Sequence, residues 1–345
     1  MLYRTPKWLA LWILLALLAA APLRAIVWPT PNAAFAEGKP ITAFVQPTVS
    51  GEPESALYGC VRNDGTRFHE GLDLKAIYRD KKGRATDEIY AIMPGIVRYV
   101  NDQRGQSSYG LYVVVEHTHL EPSVLTLYAH LREIAPGIEA EMQVAEGAVL
   151  GTMGQTATGY TIPSERAHLH FEIALRLSND FQSWYAAQDY EHANRHGIWN
   201  GMNLLGMDPL AFYEGLRLGE YGSTTDFVQG RPTAFTLRYF TDRTPDFVHR
   251  YPSMLTVPLR SSRIAAWDIG FDRYGVPTAF TPRYLGDTGQ GTRGEIRVIE
   301  YDAEALAETA SCLRLLEIET GLDPTPGERL QIRLEILFRE TVRAP

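Results

Sequence analysis

The sequence has only two cysteines in 345 residues, Cys60 and Cys312, and one long apolar run, confined to its first 25 positions. Two cysteines are too few for a disulfide framework or a four-cysteine zinc site. In an oxidising compartment they allow one bridge, which would pin the C-terminal region to the first domain. No second apolar stretch reaches membrane length. Positive charge is also short: 33 Lys and Arg against 41 Asp and Glu leave a formal charge of -8. Without the three cations Arg4, Lys7 and Arg24 the balance is -11. An acidic body argues against nucleic acid as a partner, because phosphate binding needs a basic field. A phosphate loop is missing too, since Gly151-Thr152-Met153-Gly154 has neither the spacing nor the lysine. His192 and His196 are four apart, but Ala193 stands where the helical metalloprotease motif has glutamate. Residues Ser183 to Arg195 are therefore expected to form a solvated helix. No internal repeat or low-complexity tract stands out.

Hydrophobic residues at 45% and charged residues at 21% describe an ordinary globular chain, long enough for two domains. Arg4 and Lys7 precede fourteen apolar residues from Trp8 to Ala21, which suit an export signal (1–25) better than a membrane span. Cleavage after Ala25 gives a periplasmic or secreted protein; a retained signal gives a membrane-tethered one. Residues 26–40 read as an extended leader, and Ile41 to Pro47 as a strand entering the first domain. Short β-prone runs with Gly/Pro turns follow, including Leu111 to Glu116 and Leu125 to His130, and point to an all-β domain. Composition changes near Ser223. Beyond it Thr233 to Phe240, Arg297 to Glu300 and the alternating Leu330 to Phe338 read as strands. Ala303 to Leu316 reads as a helix capped by Asp302. A mostly β accessory region over 223–345 is expected, with His249 as its single histidine and no cluster that suggests chemistry.

Chemistry concentrates on histidine. In Ala167-His168-Leu169-His170-Phe171-Glu172-Ile173-Ala174-Leu175 the apolar residues alternate with His168, His170 and Glu172, as on a half-buried strand. In Phe68-His69-Glu70-Gly71-Leu72-Asp73-Leu74, extended backbone puts His69 and Asp73 on one face, with Gly71 leaving clearance for an ion between them. Thr126, Tyr128 and His130 share a third face, opposed to Leu125, Leu127 and Ala129. A hydrolytic zinc site takes three His or Asp/Glu ligands and keeps one position for water. Four histidines and one aspartate exceed that by two, a surplus suited to proton transfer and oxyanion stabilisation. His117-Thr118-His119 is a second His-x-His, and spacing alone leaves it open as the ligand pair.

Three ordered motifs carry a resemblance: His69-x-x-x-Asp73, Tyr128-Ala129-His130-Leu131 and His168-Leu169-His170-Phe171-Glu172. Together they resemble the lysostaphin-type (LytM-type) zinc endopeptidases, peptidoglycan hydrolases, over about residues 41 to 213. The resemblance implies a mainly β fold: a lysostaphin-like antiparallel β domain of the duplicated hybrid motif type (41–215), followed by the accessory region. It implies one Zn2+ ion held by His69, Asp73 and His170, with His130 and His168 as the catalytic pair. His117 then falls beside the active site at most. Two stretches depart from the usual pattern, the charged insertion from Arg79 to Arg84 and Glu165-Arg166-Ala167 before His168. Both bear on the substrate groove more than on the chemistry.

The resulting expectation is an exported zinc endopeptidase acting on peptide cross-links of the cell wall. His130 or His168 would deprotonate the attacking water and pass a proton to the leaving amine. Glu172 is either an acceptor for a ligand's second ring nitrogen or a solvent-facing carboxylate. Two other functions fit the same motifs. One is a regulatory peptidoglycan-binding protein whose site is covered by the leader or the C-terminal region. The other is a zinc protease acting on protein. An activator protein fits the first.

Overall fold

The computed structural model describes residues 26–339, so the expected export signal lies outside the described residues. The first region runs through β1 (Gly59–Arg62), β2 (Arg67–His69), β3 (Leu72–Lys75), β4 (Glu88–Tyr90), β5 (Gly95–Asn101) and β6 (Leu111–His117). It continues through β7 (Val124–Leu131), β8 (Glu133–Ile134), β9 (Gln143–Val144), β10 (Val149–Thr152), β11 (His168–Arg176) and β12 (Leu204–Met207). The main sheet has the order β12-β11-β7-β6-β5-β9, with every neighbouring pair antiparallel. β3 and β12 share the other edge of β11: β3 pairs with its first half, from His168 to Phe171, and β12 with its second, from Ile173 to Arg176. All nine residues of β11 are buried.

The fold is mainly β, as the sequence implies, and β11 is its axis. Leu169, Phe171, Ile173 and Leu175 enter the main core with Val113, Val115 and Tyr128, and the short sheet β4-β10-β8 adds Ile89 and Leu150 to it. Tyr112, Val114, Leu125, Leu127, Ala129 and Ala174 pack into a second cluster on the opposite face. Burial on both faces explains the unbroken apolar run of β6. Beyond Ser223, β13 (Phe235–Tyr239), β14 (Ile264–Phe271), β15 (Pro277–Tyr284) and β16 (Ile296–Tyr301) form a sheet of order β15-β14-β13-β16. Its core side chains Phe235, Trp267 and Phe280 belong to the same continuous cluster as Phe171. Cys60 and Cys312 form a disulfide that ties β1 to this region.

Five local expectations change. The segment 330–336, whose alternation suggests a strand, lies in the helix Glu328–Phe338. Leu330, Leu334, Leu337 and Phe338 also satisfy a helical stripe, and Glu, Arg, Gln and Leu favour that state. The helix around Ser183 spans only Phe181–Ala186; beyond it, Tyr190 packs on Tyr185 and Asn194 bonds to Gln182 and Gly197, so the chain folds back in turns. The helix after Asp302 is capped as expected but covers only Ala303–Ala307, before the turns that bring Cys312 to Cys60. Ile41 to Pro47 is no strand: Ile41–Ala43 is a 3-10 turn, and Val45 alone bridges to Leu74. The leader is not extended, because Trp28 stacks on Phe35 at 4.5 Å and against Tyr213 at 4.8 Å, and the Tyr213 hydroxyl bonds to Val27 O.

Candidate metal centre

Strand pairing places the first two groups. In the β3–β11 ladder Asp73 lies directly opposite His170, so the two side chains share a face. His69 ends β2 and reaches the same point across a break in the chain: Phe68 to Leu74 is not one extended strand but β2 and β3, separated at Glu70 and Gly71. Gly71 is needed at that break for a reason other than clearance for an ion. A Cβ there would stand 2.3 Å from the carbonyl oxygen of Phe171, so only glycine lets the chain pass this close to β11.

The three groups form a near-equilateral triangle. His69 Nε2 is 3.1 Å from His170 Nδ1 and 3.2 Å from Asp73 Oδ1, and His170 Nδ1 is 3.0 Å from Asp73 Oδ1. The other nitrogen of each ring fixes the tautomer. His69 Nδ1 donates to Leu57 O at 2.7 Å, and His170 Nε2 donates to Glu172 Oε1 at 2.9 Å. With those nitrogens turned outward, His69 Nε2, His170 Nδ1 and a carboxylate oxygen of Asp73 converge on one point, an arrangement that favours a bound cation or a shared proton. Zinc at about 2.0–2.1 Å from tetrahedral ligands sets them roughly 3.3 Å apart, close to the triangle's edges. The residues fit the ion. Their electrostatics agree: burial opposes a charged ring at His170, yet Asp73 and Glu172 outweigh it and hold its pKa up to about 9 without a metal. Burial would likewise raise Asp73, but His69, His168 and His170 around it keep its carboxyl well below the usual range.

His130 and His168 stand beside the triangle, with ring centroids 4.9 Å apart. Each anchors Nδ1 on a backbone carbonyl, Thr156 O for His130 and Arg166 O for His168, both at 2.8 Å. Their Nε2 atoms face the site: that of His168 is 3.6 Å from Asp73 Oδ2, and that of His130 is 3.4 Å from the Tyr160 hydroxyl. Burial lowers the pKa of both and outweighs the opposing pull of Asp73, so both are neutral bases near pH 7.

The face of His130 differs from expectation. Ala129 pairs with His170 and Tyr128 with Phe171, so Thr126 and Tyr128 lie on the main-core side. Simple alternation would send His130 there as well. Instead its backbone is left-handed, φ 59°, where the β6–β7 register shifts, and its ring joins the metal face. A non-glycine residue held this way carries strain that the surrounding structure must offset.

Glu172 is an inner acceptor, not a rim carboxylate. It is 1% exposed and takes the His170 N–H and the Tyr109 hydroxyl, the latter at 2.6 Å, on one oxygen. Tyr109 was not foreseen, and neither was Arg62, whose Nη2 bonds to Asp73 Oδ2 at 2.5 Å. Both lie outside the motifs, and no local pattern marks them. His117 is a structural residue, buried between Pro94 O and Thr126 Oγ1, each at 2.9 Å, and burial lowers its pKa to about 4. His196 is likewise tied to Tyr99 and Gln106, while His192 and His119 are exposed and outside the cluster. Among the described residues, His69, Asp73 and His170 are the one group of three or more His, Cys, Asp or Glu side chains arranged to hold a metal.

The family model described as peptidase family M23 matches residues 67–182, a span containing all five groups. The chain carries a peptidase family M23 domain. That match covers about a third of the 345 residues and leaves the C-terminal region outside. Among solved structures the chain is similar to a zinc-containing peptidase from Vibrio cholerae, at 27% identity and TM-score 0.23, over 31% of this chain and 26% of that one. It is also similar to the catalytic domain of lysostaphin from Staphylococcus simulans, at 18% identity and TM-score 0.27, over 46% and 87%. A third is a mutant catalytic domain of the prophage-encoded M23 protein EnpA from Enterococcus faecalis, at 19% identity and TM-score 0.29, over 44% and 87%. The chain thus spans about a quarter of the length of the Vibrio cholerae peptidase. No curated protein matches it.

Proposed function

We propose that the protein is an exported zinc endopeptidase that hydrolyses peptide bonds in peptidoglycan cross-links. The observation that carries this reading is the buried triangle of His69, Asp73 and His170, whose ligand atoms converge on one point, flanked by two neutral histidines within the segment that matches family M23. A single zinc ion held by those three residues supplies Lewis acidity, lowering the pKa of water and polarising the scissile carbonyl. His130 and His168 each present an Nε2 lone pair to the site, so either can take a proton from the attacking water and hand it to the leaving amine. Protonated, the same ring donates to a developing oxyanion. Glu172 keeps the His170 ring oriented, and Arg62 holds Asp73 through its second oxygen. The Cys60–Cys312 disulfide supports export to an oxidising compartment. The leader packs its aromatic residues Trp28 and Phe35 on Phe44 and Tyr213, which offers no support for its blocking the site. No described helix is long and apolar enough to cross a membrane.

The test is hydrolysis of purified peptidoglycan by the full chain, with and without a chelator, beside His170→Ala. Release of cross-linked peptides should stop in both cases. Release that survives both refutes the zinc assignment, and cleavage of protein but not of wall refutes the substrate.

A further inference from the structure

Beside the metal centre a cleft of about 240 Å³ separates the main sheet from the C-terminal region. One wall carries Phe68, Glu70 and Tyr109; the other carries Arg329, Ile332 and Arg333 from the helix Glu328–Phe338. Tyr109 connects the cleft to the site, because its hydroxyl bonds to Glu172 and its ring lies 5.5 Å from the His170 ring. The far wall is unusual in charge. Arg329 and Arg333 are one helical turn apart, a spacing at which like charges repel. Arg333 donates Nη1 to Tyr274 O at 2.6 Å, and neither guanidinium has a carboxylate partner among the described residues. Asp272, the acidic group facing Arg333, is already committed to Arg231 at 2.6 Å and to the amides of Tyr274 and Val276.

We propose that this helix, outside the family M23 match, supplies a carboxylate-binding subsite for the peptide being cut. Two forked guanidinium groups suit a carboxylate, and Phe68 and Ile332 line the path with apolar surface. Glu70, next to His69 in the chain, repels an anion at the metal end, so the carboxylate lies toward the helix. The volume is below the roughly 300–1,000 Å³ of sites that enclose a whole ligand, so the cleft takes one residue of a longer chain. The substrate is then a stem peptide with a free carboxylate near the scissile bond. The inference rests on the peptidase reading above.

The probes are one synthetic cross-linked stem peptide as the free acid and the same peptide with its carboxylates amidated. For the full chain loaded with zinc, kcat/KM should favour the acid about tenfold, as a charge-assisted contact at a part-exposed site allows. In Arg329→Gln that ratio should fall toward one, in Arg329→Glu it should invert, and in Arg329→Lys most of it should return. A ratio unchanged in Arg329→Glu overturns the inference. Calorimetric binding of the two peptides to chelated protein tests the cleft without catalysis: tighter binding of the acid supports it, and equal binding overturns it. Loss of all hydrolysis with that binding preference intact would instead count against the peptidase reading.

Discussion

Glu172 offers the sharpest test of the metal centre, because a single oxygen receives both the His170 N–H at 2.9 Å and the Tyr109 hydroxyl at 2.6 Å. Glu172→Gln keeps the volume and a carbonyl oxygen able to accept both bonds, so it removes the charge alone. Outer-sphere partners of a metal-ligating histidine are worth about 10–100-fold in metal affinity. The glutamine variant should lie at the low end, about tenfold or roughly 1.4 kcal/mol. Glu172→Ala also orphans two buried donors, and its zinc affinity should fall about 100-fold, roughly 2.7 kcal/mol. Competition for zinc between the full chain and a chromophoric chelator measures both, with thermal unfolding as the control for folding. An alanine variant that binds zinc within about twofold of the native protein would refute the account of how His170 is held.

Gly71→Ala should cost about 1–3 kcal/mol by overpacking, since its Cβ meets Phe171 O at 2.3 Å. It should also lower zinc content by parting Asp73 from His170; full zinc occupancy in a folded variant would contradict this. His117 titrates near 6.5 when unfolded, but burial takes it to about 4 in the fold, so the unfolded chain binds the extra proton between those values. Stability is fully present above pH 6.5 and falls by about 3 kcal/mol as the pH drops toward 4. His117→Gln should flatten that slope in denaturant unfolding, and an equal slope in both proteins would sink the idea. The disulfide closes a sequence separation of 252 residues, for which chain entropy gives on the order of 5 kcal/mol. Cys60→Ser with Cys312→Ser should lower the denaturant midpoint accordingly, and a midpoint indifferent to reductant would show that the bridge adds nothing.

β11 was legible from sequence because its two faces differ chemically: Leu169, Phe171, Ile173 and Leu175 go to the core, and His168, His170 and Glu172 to the site. Period-two alternation is a strong signal where one face is apolar and the other holds polar groups. The same rule misplaced Thr126 and Tyr128, because it assumes an unbroken pleat, and the left-handed residue at His130 breaks it. It also made a strand of 330–336, where Leu330 and Leu334 fit both periods and only the packing of the whole stripe with Leu337 and Phe338 decides. Tyr109, Arg62 and the carbonyls of Leu57, Thr156 and Arg166 carried no signal, since their roles depend on tertiary approach.

That division has a physical reason. The groups that hold or move charge must be ionisable or metal-ligating side chains, here His and Asp, so composition marks them; the groups that aim them need only be acceptors, and any backbone carbonyl will serve. Three of the four site histidines are fixed by carbonyls and the fourth by a carboxylate. That exception is His170, the one ring lying against Asp73 on one side and Glu172 on the other. A neutral carbonyl orients a ring without changing its charge preference much, which suits the proposed role of His130 and His168 as bases free of protons. A carboxylate also draws positive charge toward the ring, which suits a group that shares a cation. Replacing Glu172 by a neutral acceptor should therefore weaken metal binding while leaving the orientation of His170 intact.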